Sequence, residues 1–273
     1  MNQPLLPATL PLTDTVFVLL AELIHQRTGL LFDKDKRELL ECKLSSLPLD
    51  RNIRDFLEYY YFLKYHEEAE AEWIRVQRAL AVNETFFWRE PDQLRAVARL
   101  AAGVSQPVRI WHAGCCTGEE PYSMEIALRE SSARGIPRSI IASDANCDSI
   151  AAAERGLYLA RSFRQLPPAL RDKYFDAQDK GWLLHDDVRS SVSFSCQNLM
   201  RTAMGNNAFD FIFCRNVFIY FSRQAVEKTA GAFYQALRPG GYLMLGAAES
   251  LLRFDTPFEF TELGGAIAYR KAA

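Results

Sequence analysis

The fold is decided by the stretch Val108-Arg-Ile-Trp-His-Ala-Gly-Cys-Cys-Thr-Gly-Glu-Glu-Pro-Tyr-Ser-Met-Glu-Ile-Ala-Leu128. Its apolar start predicts a buried strand, and its second half predicts a helix with Pro121 in the first turn. Between them, Gly114 and Gly118 bracket a loop in which small residues let a ligand approach the backbone closely. The stretch therefore predicts an α/β domain with a ligand site at this loop.

Two acidic residues, Glu119 and Glu120, stand at the predicted entrance of that helix. A dinucleotide site uses a helix N-terminus to hold diphosphate, and two carboxylates there would repel a diphosphate. They suit instead a nucleoside that carries positive charge. S-adenosylmethionine, which has a sulfonium and an ammonium group, is the obvious candidate.

Length, composition and charge limit the partners that this chain can have. It has 273 residues, 49% of them hydrophobic, and a formal net charge of -2, which does not favour nucleic acid or an anionic membrane as a partner. The longest apolar run, residues 15–24, contains Glu22 and is too short to span a bilayer, so we expect no membrane insertion. The six cysteines form no CxxC pair, and residues 1–4 hold no basic region ahead of an apolar run. We therefore expect a cytoplasmic protein without a bound metal.

Residues 1–90 are predicted to form an all-helical N-terminal domain. Thr13 or Asp14 can cap a first helix, and Gly29 follows its end. Three further helices are predicted at residues 34–47, where the helix ends before Pro48, at 54–65 and at 67–82. No strand pattern interrupts this block.

Residues 91–273 are predicted to form a doubly wound, Rossmann-like sheet. Short apolar segments alternate there with helical segments, which is typical of a parallel sheet. The predicted strands are residues 108–111, 139–144, 191–194, 209–214, 242–245 and 266–269, and a helix is predicted at 224–237. The connection of residues 156–190 is unusually long, which predicts an inserted subdomain with a small antiparallel hairpin.

Polar residues follow several of these strands, and ligands of a doubly wound sheet bind at the carboxyl ends of the strands. Asp144 ends the second strand and can accept hydrogen bonds from both ribose hydroxyls of a nucleoside, although an aspartate here can also simply cap a helix. Asn198 follows the third strand and can donate to an adenine edge or cap a turn. Arg215 and Asn216 follow a strand that should be buried, so Arg215 must face a pocket or an ion pair.

A second polar cluster, Asn83-Glu-Thr-Phe-Phe-Trp-Arg89, ends the helical block. Asn83, Thr85 and Arg89 alternate there with aromatic residues. The cluster lies at the junction of the two predicted domains, where small-molecule sites are frequent. These three residues therefore join the candidate site.

Four motifs together resemble the chemotaxis receptor glutamate O-methyltransferases. They are Asn83-x-Thr85-x-Phe87-x-Arg89, Ala113-Gly-Cys-x-Thr-Gly-Glu-Glu-Pro-Tyr-Ser123, Ser143-Asp144 and Cys214-Arg-Asn-Val-x-Ile-Tyr-Phe221. The motifs occur in the family's order, and the resemblance covers nearly the whole chain, helical domain included. It implies a class I methyltransferase fold, with S-adenosylmethionine as the methyl donor and S-adenosylhomocysteine as its product. The implied acceptor is a glutamate side chain on the cytoplasmic helical bundle of a bacterial chemoreceptor, and the product is a methyl ester.

The resemblance also implies which residues form the site. The implied donor-binding set is Asn83, Thr85, Arg89, Glu119, Asp144, Asn198, Leu199, Arg215 and Asn216. Of the paired acids, Glu119 is the one assigned to this set. Arg89 and Tyr220 are the expected catalytic residues, nearest the transferred methyl group. We expect a monomer, and we expect no docking of a receptor's C-terminal peptide, because the loop of residues 176–181 is shorter than in family members that dock one.

Three other functions compete with this one. A nicotinamide-dependent oxidoreductase is disfavoured by the missing third glycine and by the two acids at the helix entrance. A methyltransferase that acts on another substrate is a second possibility, and the near-neutral charge argues against RNA as that substrate. A non-catalytic regulator that binds the donor is a third possibility, and the presence of Arg89 and Tyr220 argues against it.

Overall fold

The computed structural model describes residues 10–104, 106–201 and 204–273. Residues 1–4, on which the expectation about a leader segment depends, lie outside the described residues. The chain divides into two compact units between Val82 and Asn83, and the first unit also includes Tyr220–Ser222. The domain boundary predicted at residue 90 lies later in the chain than this division.

The first unit is all-helical, as predicted. Its core consists of apolar and aromatic side chains such as Leu20, Ile24, Tyr59 and Val76, all of which are fully buried. Gly29 ends the first helix with a φ of +80°, which confirms the predicted stop. The α-helices are α1 Asp14–Thr28, α2 Arg37–Leu44, α3 Ser46–Asp50, α4 Phe56–Tyr65 and α5 Ala69–Leu80.

The helix predicted at residues 34–47 is in fact three shorter pieces. A 3₁₀ turn at Lys34–Lys36 precedes α2, and α3 follows after Ser45. Pro48 lies in the first turn of α3, where no intrahelical partner exists for an N–H and its loss costs little. The helix therefore ends before Pro48, at Leu44, as predicted, but a new helix that was not predicted begins at Ser46 and includes the proline.

The second unit contains all the strands that the structure describes. They are β1 Val108–Ala113, β2 Arg138–Asp144, β3 Leu157–Tyr158, β4 Phe175–Gln178, β5 Gly181–Leu184, β6 Val192–Cys196, β7 Phe209–Cys214, β8 Leu237–Leu245, β9 Glu259–Leu263 and β10 Ala266–Arg270. Its α-helices are α6 Pro91–Ala102, α7 Glu119–Arg129, α8 Cys147–Arg155, α9 Pro168–Tyr174, α10 Asp186–Arg189 and α11 Arg223–Ala236. All six predicted strands are present, whereas α6 and β9 were not predicted.

Seven strands form one sheet in the order β6-β2-β1-β7-β8-β10-β9. The first five are parallel neighbours, and β10 is antiparallel to β8 and to β9. The chain moves outward from β1 through β2 to β6 and then returns to the other side of β1 with β7. The topological switch point therefore lies between β1 and β7, where a ligand site is expected at the carboxyl ends of the strands.

Helices cover both faces of this sheet. Trp111 and His112 are successive residues of β1, so their side chains point to opposite faces. Trp111 packs edge-on against Phe233 of α11, with ring centroids 5.2 Å apart. His112 bonds to Glu120 of α7 on the other face. The doubly wound arrangement that was predicted from the alternating pattern is therefore confirmed.

The inserted segment forms a subdomain with its own small sheet, as predicted. Its strands are antiparallel in the order β3-β5-β4. Phe87, which is fully buried, packs against Tyr158, Phe163 and Phe175 of this subdomain at centroid distances of 4.7, 5.4 and 5.1 Å. Phe87 thus anchors the segment between Asn83 and Arg89 to the insertion.

Two of the six cysteines form a disulfide that the sequence did not predict. Cys147 begins α8 and Cys196 ends β6, and the two are bonded across 49 residues of chain. The remaining cysteines are free. Within the part of the chain that the structure describes, no helix has the length and apolar character that a membrane span requires.

Candidate functional site

The loop that joins β1 to α7 requires glycine at both ends. Gly114 has a φ of +81°, and a Cβ there would lie 2.6 Å from Val217. Gly118 has a φ of +91°, and a Cβ there would lie 2.7 Å from Ala153. The N–H groups of Gly114 and Cys115 both donate to the Ser143 carbonyl, at 2.8 and 3.0 Å. The predicted glycine loop is therefore fixed against the end of β2, beside the switch point.

The carboxylate of Asp144 lies directly under this loop. One of its oxygens accepts the Cys116 N–H at 2.9 Å, and the other accepts the Asn146 N–H at 2.8 Å. Burial raises the pKa of Asp144, and these backbone hydrogen bonds offset only part of the rise. Asp144 forms no ion pair with any described lysine or arginine, so its negative charge lacks a cation.

Glu119 is the second acid that forms no ion pair with a described residue. Its side chain is buried, with the residue only 3% exposed. Its carboxylate accepts hydrogen bonds from the hydroxyls of Thr117, at 2.6 Å, and Ser162, at 3.0 Å. Burial raises the pKa of Glu119, and the hydrogen bonds and the charge of Arg161 offset only part of the rise. A buried carboxylate that forms no ion pair favours the binding of a positively charged ligand.

Glu120 differs from its neighbour because it is already paired. Arg215 Nε donates to its carboxylate at 2.6 Å, and His112 Nδ1 lies 2.7 Å from its other oxygen. Burial alone would raise the pKa of Glu120, but Arg215 and His112 outweigh burial and lower the pKa to about 2. The expectation that Arg215 meets an ion pair is confirmed, and of the two acids only Glu119 forms no ion pair.

The Asn83–Arg89 segment contacts the loop from the other side. The Asn83 amide oxygen accepts a hydrogen bond from the Ser149 hydroxyl at 3.2 Å and lies 3.8 Å from the Cys116 sulfur. Thr85 and Arg89 are half-buried. The Arg89 guanidinium stands 5.4 Å from the centre of the Phe86 ring and forms no hydrogen bond or ion pair with a described residue. It is therefore an available cation.

The end of β7 is held by an acid that the sequence did not single out. Glu249 accepts the N–H groups of Asn216 at 2.6 Å, Gly246 at 2.8 Å and Phe218 at 2.7 Å. Asn216 adopts a φ of +60°, and its buried Oδ1 has no hydrogen-bond donor among the described residues. Glu249 follows β8 at its carboxyl end, and this position was the signal that could have revealed it.

Three further predicted residues lie elsewhere in the chain. The Asn198 side chain accepts the Met200 N–H at 2.9 Å, so it caps a turn, and its predicted role toward adenine stays a prediction. Leu199 is half-buried beside it. Tyr220 belongs to the first unit, where its carbonyl accepts the Leu31 N–H at 2.8 Å.

The second unit contains buried polar groups whose missing partners a cationic nucleoside would supply. Within the part of the chain that is described, the buried carboxylates of Glu119 and Asp144 form no ion pair, and Asn216 presents a buried acceptor without a donor. Buried charges of this kind are costly unless a ligand compensates them. The residues therefore fit a ligand that supplies positive charge and hydroxyl or amine donors, as S-adenosylmethionine does.

Comparison with known families settles the class of this unit and of the helical one. The CheR methyltransferase all-alpha domain matches residues 16–81, and the CheR methyltransferase SAM binding domain matches residues 83–266. The chain belongs to the CheR methyltransferase family. SAM is S-adenosylmethionine, so this CheR methyltransferase is an S-adenosylmethionine-dependent enzyme. The predicted family, enzyme class and donor are confirmed.

Curated relatives match along nearly the full length of the chain. Chemotaxis protein methyltransferase 2 of Vibrio cholerae serotype O1 is 34% identical over 271 residues, which is 95% of this chain and 94% of the relative. Chemotaxis protein methyltransferase 1 of Pseudomonas aeruginosa is 29% identical, over 93% of this chain and 97% of the relative. The chemotaxis protein methyltransferase of Klebsiella aerogenes is 31% identical, over 91% and 88%.

Proposed function

We propose that this CheR methyltransferase methylates glutamate side chains on the cytoplasmic helical bundle of a chemoreceptor. The products would be glutamyl methyl esters and S-adenosylhomocysteine, and the enzyme would act in the cytoplasm as a monomer. Support for the substrate comes from the names of the relatives, which are chemotaxis methyltransferases matched over both units.

The observation that carries this proposal is the unpaired guanidinium of Arg89. The uncompensated charges on Asp144 and Glu119 call for a cationic donor, whereas Arg89 is a cation that no described acid neutralises. An ionised glutamate is an acceptor of the matching charge.

The donor-binding roles follow from the same charges. We infer that Asp144 accepts the ribose hydroxyls and that Glu119 faces the positive end of the donor. The rest of the inferred donor-binding set is Asn83, Thr85, Arg89, Asn198, Leu199, Arg215 and Asn216. Arg215 belongs to this set through its backbone, because its guanidinium is buried against Glu120 and the Arg89 carbonyl. When bound, S-adenosylmethionine supplies an electrophilic methyl group on a sulfonium sulfur.

The reaction depends on the orientation of the acceptor and the donor more than on proton transfer. A glutamate is ionised at neutral pH, so the acceptor needs no general base. The task of the chain is to align the acceptor oxygen in a site with little water. We propose that Arg89 orients the acceptor carboxylate and that the Tyr220 hydroxyl holds the acceptor oxygen or the methyl group in place.

Mass spectrometry of receptor cytoplasmic fragments tests the function. Incubation with the enzyme and donor should add methyl groups to glutamates, and mild alkali should release them as methanol because they are esters. An Arg89→Ala enzyme should bind the donor more weakly and, even at saturating donor, should methylate the fragment far more slowly than the wild type. Donor binding without transfer to any fragment would instead indicate a sensor, and transfer to RNA or a small metabolite would indicate another substrate.

A further inference from the structure

The backbone around Arg89 adopts a conformation that it would not keep by itself. Trp88 and Glu90, on either side of Arg89, have φ values of +68° and +52°. Left-handed backbone is unfavourable for residues other than glycine, so contacts elsewhere must hold both residues in place. The Trp88 N–H donates to the Ser123 hydroxyl at 2.9 Å, which fixes one side of the segment to α7.

Arg215 holds the same segment from the end of β7. Its guanidinium is almost fully buried, with the side chain 1% exposed. Nη1 donates to the Arg89 carbonyl at 2.9 Å and reaches Gln93 Oε1 at 3.4 Å. Gln93 in turn donates to the Leu245 carbonyl at 2.7 Å. The carbonyl of Arg89 is thus tied to the end of β7, which flanks the switch point, and through Gln93 to the end of β8.

Glu120 fixes the orientation of Arg215. The Arg215 Nε–Glu120 distance is 2.6 Å, and this contact turns the guanidinium so that Nη1 points toward the Arg89 carbonyl. His112 supports Glu120 from behind at 2.7 Å and is itself stacked on Phe213, with ring centroids 4.7 Å apart. Because an ionised carboxylate only accepts, His112 Nδ1 must carry the hydrogen. The result is a buried chain of hydrogen bonds from His112 through Glu120 and Arg215 to Arg89.

We propose that Glu120 and Arg215 are positioning residues that set the place of the Arg89 side chain, with His112 as their support. The Arg215 guanidinium acts on the reaction through the Arg89 backbone, and Glu120 is fully engaged in directing it. The inference rests on the proposed function in one respect, namely that Arg89 meets the acceptor carboxylate. It also explains why the motif needs two adjacent acids: Glu119 is left for the donor, whereas Glu120 neutralises Arg215.

A double-mutant cycle between Arg215 and Arg89 tests this proposal. Arg215→Lys should lower kcat/KM for the receptor fragment by about 10- to 100-fold, since small misplacements of a reacting group have effects of this size. The affinity of the Arg215→Lys enzyme for S-adenosylhomocysteine, measured by calorimetry, should stay within about twofold of the wild-type value. In an Arg89→Ala enzyme, Arg215→Lys should cause no further loss, because its effect passes through Arg89.

A milder change and a matched control separate positioning from folding. Glu120→Gln keeps the size of the side chain and should give the same pattern as Arg215→Lys. Glu125→Gln alters another buried carboxylate of α7, which pairs with Arg129 at 2.6 Å and Arg138 at 2.7 Å. This control should lower the unfolding temperature while leaving kcat/KM unchanged.

The outcomes distinguish the proposal from the function on which it rests. Multiplicative losses in the cycle, a matching fall in donor affinity, or an equal loss of turnover in Glu125→Gln would overturn the positioning role while leaving the methyltransferase function intact. A wild-type enzyme that methylates no receptor fragment would overturn both.

Discussion

Asp144 is the residue whose removal should weaken donor binding most. Asp144→Ala removes a carboxylate that can accept two charge-assisted hydrogen bonds from ribose hydroxyls, together worth about 3 kcal/mol. We expect the dissociation constant for S-adenosylhomocysteine to rise about 100-fold, as measured by calorimetry.

A second aspartate of the same unit provides the control. Asp210 accepts the Arg109 N–H at 2.7 Å, at the amino end of β7 and away from the strand ends that carry the site. Asp210→Ala should lower stability without changing donor affinity. Unchanged affinity in Asp144→Ala would remove the ribose-binding role.

Donor affinity should depend on pH through Glu119 and Asp144. Burial raises the pKa of both carboxyl groups above their ordinary values. A cationic donor prefers the ionised forms, so affinity should be constant at high pH and fall as pH decreases through the raised pKa values. Calorimetric titrations over a pH series measure this directly. Glu119→Gln should bind more weakly at neutral pH and show a shallower pH dependence, and an identical profile would refute the assignment of Glu119.

Tyr220 should affect turnover and not donor binding. Tyr220→Phe removes only the hydroxyl, and the loss of one hydrogen bond to the reacting groups should lower single-turnover methylation about tenfold. The backbone carbonyl that accepts the Leu31 N–H is unchanged by this substitution. Wild-type turnover in Tyr220→Phe would exclude a catalytic hydroxyl, and a large loss of donor affinity would move Tyr220 into the donor site.

At the scale of elements, the disulfide connects the two segments that carry Asp144 and Asn198. Cys147 follows the turn after Asp144, and Cys196 precedes Gln197, whose N–H donates to the Asp144 carbonyl at 2.8 Å. Reduction should lower stability by about 2–4 kcal/mol, since the bridge closes a long loop. It should also weaken donor binding several-fold, because the Asp144 turn loses a restraint.

A cysteine-free version of the bridge makes this prediction specific. Thermal unfolding and calorimetry with and without dithiothreitol would be compared for the wild type and for Cys147→Ser/Cys196→Ser. The double variant should resemble the reduced wild type and should not respond to the reagent. A response of equal size in the double variant would place the effect at another cysteine.

Helix α6 shows which elements could be found by closer inspection of the sequence. Pro91 stands at its first position, and Leu94, Val97 and Ala101 recur on its buried side. Strand β9 is harder, because its residues are mostly exposed and it is recognised only by its pairing with β10. Periodicity reports burial, so an edge strand with little burial leaves little pattern.

At the scale of the whole molecule, each unit has a separate apolar core. The first core contains Leu20, and the second contains Phe213. Leu20→Ala should cost about 2–5 kcal/mol in the first unit, as is usual for a fully buried leucine. Hydrogen exchange by mass spectrometry should then accelerate in α1 and α4, while exchange in β1 and β7 stays as in the wild type.

Phe213→Ala is the matched control for the other core. Phe213 is fully buried in β7, so its loss should accelerate exchange in the central strands and leave α1 and α4 unchanged. Donor affinity should survive Leu20→Ala, since every predicted donor-binding residue belongs to the second unit. Equal acceleration throughout the chain in Leu20→Ala would show that the two units unfold as one.

The sequence by itself determined the class of fold and the chemistry of the donor. Alternating apolar strands and helices are typical of a wound sheet, and the paired glycines Gly114 and Gly118 indicate a tight loop between the first strand and its helix. Glu119 and Asp144 could also be predicted as site residues, because their charge and their position after a predicted strand are properties of the local sequence.

The tertiary structure alone decided what each polar group does. Glu120 and Arg215 are 95 residues apart in the chain, yet their ion pair separates the roles of two adjacent glutamates. The hydrogen bond between Glu249 and the Asn216 N–H and the disulfide between Cys147 and Cys196 also join residues that are distant in the chain. Such pairings depend on which strand ends become neighbours in the sheet, and strand order is set by the packing of the whole unit rather than by any local pattern.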